Sequence, residues 1–131
     1  MGGAYVIPGL GVDVVEVARI RRLLSRRGER FLARVFTAGE RSTAGEGPLM
    51  AQRLAGRFAA KEAVFKALGL GMGELGWQDV EIRGGRGMPP QVHLRGGAAA
   101  VARREGVWLA VSISHTREHA AAVAVAHRGD A

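Results

Sequence analysis

Several residue types are scarce in this chain of 131 residues, and each scarcity excludes a class of protein. There is no cysteine, which rules out a disulfide framework and a thiolate metal site. Aromatic residues make up only 5% of the chain, and none falls in an exposed strand pattern that could stack bases. No apolar run reaches the roughly 18 residues that a membrane span needs. Without a signal-peptide pattern near the start, we expect a cytoplasmic location.

Lysine is equally scarce, because Lys61 and Lys66 are the only two, yet the formal net charge is +7. Arginine supplies nearly all of this excess. A basic surface implies an acidic partner, whether nucleic acid, an anionic membrane, an acidic protein or a phosphorylated small molecule. The length and an apolar content of 47% are typical of a globular protein, and we predict one domain over residues 1–131.

What the chain does contain is a long apolar helix, predicted from Leu49 to Gly69. At 100° per residue, one side of this helix is an apolar stripe formed by Leu54, Phe58, Phe65 and Leu68. Another side carries only small residues, namely Ala55, Ala59 and Ala63. Lys61 and Glu62 lie within this otherwise apolar helix, and a charge removed from water needs a partner. One interpretation is a structural Lys/Glu network with an i,i+4 pair from Glu62 to Lys66. The other is a ligand or metal site, and the helix alone leaves both open.

A second carboxylate with no obvious solvent role is Asp13, where an interrupted first strand (4–7 and 9–15) gives way to a helix predicted from Val15 to Arg27. Its commonest role at such a junction would be a helix N-cap. The outer face of the helix carries a stripe of arginines, Arg19, Arg22 and Arg26. No acidic residue interrupts it between positions 16 and 29, so we interpret the arginine stripe as a docking face.

The rest of the chain alternates short elements. Thr37 and Glu40 fit a capping box at the start of another helix. From Trp77 the apolar period changes to two and predicts a hairpin, followed by a helix at 98–105 and a second hairpin at 107–114 and 120–126. This order predicts an α+β fold with a mainly antiparallel sheet packed on the long central helix.

Four motifs, in order, resemble those of the holo-acyl-carrier-protein synthases, the small members of the 4'-phosphopantetheinyl transferase family. They are Gly-Val-Asp-Val-Val-Glu-Val at 11–17, Leu-Ala-Gly-Arg-Phe-Ala-Ala-Lys-Glu-Ala at 54–63 with Lys-Ala-Leu-Gly at 66–69, Trp-Gln-Asp-Val-Glu-Ile at 77–82, and Val-Ser-Ile-Ser-His-Thr at 111–116. The resemblance covers roughly residues 9–126 and implies the phosphopantetheinyl transferase fold.

This resemblance implies an enzyme that moves the 4'-phosphopantetheine arm of coenzyme A to a serine of an apo acyl carrier protein in a fatty-acid or polyketide pathway. Adenosine 3',5'-bisphosphate is released. The family's two metal ligands fall on Asp13 and Glu62, and the implied cofactor is Mg²⁺. Magnesium takes about six oxygens, many from water and substrate phosphates, so one or two protein carboxylates are the expected complement.

The resemblance also implies roles for other side chains. The implied coenzyme A ligands are Arg57, Lys61, Lys66, Ser114 and His115; the implied catalytic residues are Glu62, Lys66 and His115; and the implied carrier-docking residues are Arg19, Arg22 and Arg26. A lone histidine in a hairpin is otherwise more often a satisfied surface residue. Relatives of this length are typically homotrimers with coenzyme A at each subunit interface, so we expect a homotrimer.

Two departures from the family pattern concern coenzyme A affinity and carrier preference. Gly87-Met88-Pro89 replaces the family's Gly-Lys-Pro turn, and Phe-Thr-Ala-Gly-Glu at 36–40 replaces Leu-Thr-Pro-Ala-Glu. Two other functions stay open on the residues alone: a small basic nucleic-acid-binding module and a non-catalytic carrier-binding protein. Binding to nucleic acid would fall steeply with salt and ignore magnesium, whereas the transferase would be inert after chelation.

Overall fold

The computed structural model describes residues 6–71, 76–85 and 87–128. The elements are β1 (Val6–Glu16), α1 (Val17–Arg27), α2 (Glu29–Val35), α3 (Ala38–Ala44), α4 (Met50–Ala67), a 3₁₀ turn (Trp77–Asp79), β2 (Val80–Gly85), β3 (Met88–Leu94), α5 (Gly96–Glu105), β4 (Trp108–His115) and β5 (His119–Arg128). This arrangement confirms the predicted α+β fold with antiparallel strands around a long helix.

The strands form two separate sheets. β5 lies between β1 and β4 in a three-stranded antiparallel sheet, and β2 pairs with β3 in a two-stranded one. Side chains alternate across the larger sheet. Its inner face packs on α4 and carries the buried alanines of β5, Ala120, Ala122, Ala124 and Ala126. Its outer face is apolar and open, with Leu10 63%, Val12 56%, Val14 62% and Val123 43% exposed.

The sheet and α4 approach each other unusually closely, because glycine meets alanine at the contact. A Cβ atom at Gly11 would lie 1.9 Å from the carbonyl oxygen of Ala63, and one at Gly9 would lie 1.9 Å from that of Ala67. The small-residue face predicted for the central helix is therefore the surface on which β1 packs. This close approach places β1 side chains beside the last turns of α4.

Two short helices precede α4. α2 was not predicted as a separate element; it begins directly after Gly28, which ends α1 with a φ of 47°. α3 begins at the predicted capping box, in which the Thr37 hydroxyl accepts from the Glu40 N–H and the Glu40 carboxylate accepts from the Thr37 N–H. The ring of Phe31 on α2 contacts the rings of Phe36 and of Phe58, the latter on the central helix.

The predicted boundaries are close to the observed ones. The first strand is one continuous element with an irregular register between Val6 and Gly9, rather than two segments, and positions 4–5 fall outside the described residues. α1 begins two residues later than predicted, at Val17, because the strand continues through Glu16. In the described part of the chain, no helix has the length and apolar character needed to cross a membrane.

Candidate active site

Asp13 lies near the end of β1 on the face that packs against α4. Its side chain is 12% exposed, and Oδ1 is 3.1 Å from Nζ of Lys66. The same ammonium donates to the carbonyl oxygen of Val12 at 2.9 Å. Oδ2 of Asp13 is buried and has no hydrogen-bond partner among the described residues. A buried carboxylate oxygen without a donor is costly, so this position favours a cation.

Glu62 is the second carboxylate at this place. It lies one turn before Lys66 on α4 and is half-buried. Burial raises the pKa of its carboxyl above the ordinary value, and the negative charge of Asp13 raises it further. The nearby positive charges of Arg19 and Lys66 act in the opposite direction. The two predicted metal ligands are thus close enough for their charges to interact, and the positive charges of Arg19 and Lys66 also act on Glu62.

The arginine stripe of α1 begins at this site. The guanidinium carbon of Arg19 lies 5.4 Å from the ring centroid of Phe58 on α4, within the range of a cation–π contact. Arg22 and Arg26 follow along the exposed face of the helix. α1 therefore presents a row of positive charge that leads toward the carboxylate pair.

A cavity of about 440 Å³ opens at the other end of α4. Four residues on successive turns of the helix, Gln52, Arg53, Gly56 and Arg57, form one wall. Nη2 of Arg57 donates to the carbonyl oxygen of Gly84 at 2.6 Å, and Nη1 of Arg53 lies 3.4 Å from that of Ala44. Two guanidinium groups in one concave surface form a site suited to phosphate.

Sequence reasoning found Arg57 but missed Arg53 and Gln52 in this cavity. The signal was available for Arg53, since it precedes Arg57 by four residues and so shares its helix face.

His115 and Ser114 are neighbours in sequence but lie on opposite faces of the sheet. His115 lines the cavity, and its Nδ1 lies 3.4 Å from Nε2 of Gln52, which also donates to the carbonyl oxygen of Thr116 at 3.0 Å. Ser114 pairs with Ala121 on the outer face of the sheet and is exposed there. Within one protomer, Ser114 therefore does not join the cavity that His115 lines.

The resemblance implies that Lys61 contacts coenzyme A, but the structure does not place Lys61 in the lining of the cavity. Its side chain is fully buried, with Nζ 2.7 Å from Oε1 of Glu40 and a further hydrogen bond to the carbonyl oxygen of Val80. Desolvation lowers the pKa of its ammonium, and the charge of Glu40 opposes this. Lys61 thus takes part in a buried Lys/Glu network, in which its partner is Glu40.

The chemistry of the two carboxylates is compatible with a magnesium ion that has few protein ligands. No cluster of three or more His, Asp or Glu side chains suited to a metal occurs among the residues that the structure describes. Two carboxylates are nevertheless enough for an ion that keeps several waters and takes further oxygens from phosphates. Oδ2 of Asp13 has no hydrogen-bond donor among the described residues, and burial disfavours the charged form of Glu62 and so raises its pKa. A cation beside the two carboxylates would stabilise both.

Comparison with known proteins identifies the family. The model of the 4'-phosphopantetheinyl transferase superfamily matches residues 9–124. A holo-[acyl-carrier-protein] synthase of Desulforudis audaxviator is 48% identical over 122 residues, which cover 92% of this chain and 93% of that protein.

Solved structures agree with this similarity. A Bacillus anthracis holo-(acyl-carrier-protein) synthase in complex with CoA (3',5'-ADP) superposes with a TM-score of 0.78 at 33% identity, covering 96% of this chain and all of that one. A Helicobacter pylori holo-[acyl-carrier-protein] synthase in complex with coenzyme A has a TM-score of 0.78 at 32% identity, covering 89% of this chain and 98% of that one.

Proposed function

Because this chain belongs to the 4'-phosphopantetheinyl transferase superfamily, we propose that it is a holo-[acyl-carrier-protein] synthase. The reaction joins the carrier's serine oxygen to the phosphorus that bears the pantetheine arm. The phosphoanhydride bond to adenosine 3',5'-bisphosphate breaks, and the serine proton is released. The observation that carries the proposal is the pair Asp13 and Glu62. One buried oxygen of Asp13 has no hydrogen-bond partner among the described residues, in a chain that spans 93% of a synthase relative.

Asp13 and Glu62 would hold a magnesium ion. When bound, it supplies a Lewis acid that offsets negative charge on the diphosphate. Lys66 already reaches Asp13 from α4, and its half-exposed ammonium can donate to a phosphate oxygen. Arg19 carries positive charge to the same place.

The guanidinium-lined cavity is proposed as the site for other phosphate oxygens of coenzyme A. Arg57 is held by the Gly84 carbonyl, and His115 is held beside Gln52, so both donors are fixed before a ligand arrives. Arg53 is added to the predicted set on the strength of its place in the cavity wall. Met88 is 66% exposed on β3, where the family's turn has lysine, so this hairpin contributes no cation at that position.

A homotrimer is proposed from two features of the protomer. The outer face of the three-stranded sheet leaves four large apolar side chains at least 43% exposed, which is typical of a surface that meets another chain. The described residues that line the cavity do not include Asp13, Glu62 or Lys66. A neighbouring subunit could therefore bring its cavity to this protomer's carboxylate pair, which would also give the outward Ser114 a place in a shared site.

The arginine stripe supports an acidic acyl carrier protein as the macromolecular partner, because its row of positive charge begins beside Glu62. The nucleic-acid alternative leaves the two carboxylates without a role. The cytoplasmic location remains a prediction.

Incubation with apo carrier protein, coenzyme A and magnesium tests the function directly. Intact mass spectrometry should show a phosphopantetheine adduct on the carrier, and chelation should prevent it. No adduct on any apo carrier under these conditions would refute the assignment.

A further inference from the structure

Among the residues that the structure describes, Lys61 is the one buried cation to which the proposed reaction gives no role. Its contacts extend beyond its own helix. Its ammonium donates to Oε1 of Glu40 and to the carbonyl oxygen of Val80. The three residues belong to α4, α3 and β2, respectively. One buried ammonium therefore joins three elements through contacts that are 21 and 19 residues apart in sequence.

Glu40 continues the network from the other side. Its Oε1 also accepts from the N–H of Thr37 at 2.9 Å, and its Oε2 accepts from the N–H of Ile82 at 2.7 Å. Both oxygens are satisfied, which is the condition under which a buried ion pair is tolerated. Because hydrogen bonds are directional, this network fixes the position of β2 along α4. Apolar packing would fix that position less strictly.

The same three elements form walls of the guanidinium-lined cavity. Ile82 belongs to both structures, because its N–H is bound by Glu40 while its side chain lines the cavity. Two residues later, the Gly84 carbonyl accepts the 2.6 Å hydrogen bond from Arg57. A shift of β2 relative to α4 would therefore move the acceptor that holds the Arg57 guanidinium.

We infer that Lys61 and Glu40 are positioning residues for coenzyme A recognition. By fixing β2 against α4, they hold Arg57 and the cavity wall in the geometry that meets the phosphates. This inference rests on the proposed function, in which that cavity takes coenzyme A. It gives the lysine of the Lys-Glu-Ala motif a role that requires no contact with the ligand.

The test compares Lys61→Met and Lys61→Met/Glu40→Leu with Phe65→Leu. The double variant replaces the buried pair with apolar groups, a change that often preserves stability. Phe65 is a buried α4 residue that packs edge-on against Trp77 and makes none of the network's hydrogen bonds. Its truncation therefore destabilises the core while all donors and acceptors of the network stay in place. Calorimetric titration with coenzyme A is run well below each melting temperature.

We expect the dissociation constant for coenzyme A to rise about tenfold in the network variants, because small misplacements of binding groups are costly. It should stay at the wild-type value in Phe65→Leu. With saturating coenzyme A, turnover should fall much less than the KM for coenzyme A rises.

A purely structural pair would lower the melting temperature and leave coenzyme A affinity unchanged, and that result would overturn the inference. If Lys61→Met alone does not fold, the double variant decides. Failure of the wild-type protein to bind coenzyme A would refute the proposed function instead, so the two failures are distinguishable.

Discussion

At the scale of single residues, the proposed chemistry depends on two carboxylates that come together from different elements. Asp13 arrives on a strand and Glu62 on a helix, and each is poorly compensated in the protomer alone. Their partial burial could be predicted from the sequence, since both interrupt apolar runs. Their proximity could not, because it depends on how closely β1 packs against α4.

We predict that Asp13→Asn and Glu62→Gln each abolish phosphopantetheine transfer while leaving the fold intact. Either change removes about half of the protein charge from a two-carboxylate magnesium site. Intact mass spectrometry of the carrier measures transfer, and circular dichroism checks the fold. Glu29→Gln is the matched control, because that carboxylate is exposed and pairs only with Arg41 among the contacts described. Full activity of either site variant at limiting magnesium would contradict the assignment.

Glu81 gives a prediction about acid stability. The hydroxyl of Thr37 donates to it, and Arg83 lies beside it, so its pKa is held below the ordinary value of 4.5. A carboxyl with a lowered folded-state pKa stabilises the protein above the unfolded value and loses that contribution as the pH falls through the folded one. We expect Glu81→Gln to lower the free energy of unfolding more above pH 4.5 than below it. Urea titrations on both sides of that pH measure this, and a pH-independent difference would contradict it.

The partner of Lys61 could not be predicted from the sequence alone. Helix periodicity correctly indicated that this ammonium is buried and needs a partner. The partner, Glu40, lies 21 residues earlier in the chain and was assigned only to a capping box. A local pattern gave Glu40 its first role, and only the tertiary structure revealed the second.

At the scale of elements, the packing of β1 on α4 sets the geometry of the site. Long, strongly periodic elements such as α4 were predicted within two residues at each end. The seven-residue α2 was missed because it spans only two turns and offers too few periodic positions. The division of the strands into two sheets was also not predicted. The alternation of apolar and polar residues shows which face of a strand is buried, but it does not show which strand lies beside it.

We predict that Gly11→Ala destabilises the protein by about 1–3 kcal/mol and reduces transfer. The new Cβ would lie 1.9 Å from a backbone oxygen of α4, so the strand must move and carry Asp13 with it. Gly76→Ala is the control, since its Cβ would meet only ordinary contacts with Asp79 at 3.7 Å. Thermal melts and transfer assays measure both effects, and a Gly11→Ala protein as stable and active as wild type would refute the close packing.

We predict that Arg22→Glu on α1 weakens carrier binding far more than coenzyme A binding. Reversing one charge of an exposed docking face acts through long-range electrostatics, so the loss should shrink at high salt. Arg103→Glu on α5 makes the same charge change elsewhere on the surface. Calorimetry with each ligand decides the matter: equal losses for carrier and coenzyme A would assign the arginine stripe to the nucleotide site.

At the scale of the whole molecule, the protomer holds the parts of its proposed site in two places. The guanidinium groups lie toward the start of α4 and the carboxylates toward its end. The open sheet face carries the apolar side chains that a partner would cover. Composition could not predict this open sheet face, because the same alanine and valine content is compatible with a sheet that its own helices cover on both sides.

Assembly is tested by placing a charge in the middle of that sheet face. Val123 pairs with Val12 on one side and Ser112 on the other, so Val123→Lys puts an ammonium at the centre of the outer surface of all three strands. Burying it against a neighbouring copy would be costly, so we expect light scattering at micromolar protein to show a trimer for the wild type and a monomer for the variant. The monomer should remain folded, because the side chain faces outward, but should lose coenzyme A affinity and transfer together. Ala100→Lys on the exposed face of α5 is the control and should change neither mass nor activity. An active wild-type monomer would refute the shared site, and a monomeric Val123→Lys with full activity would show that one protomer suffices.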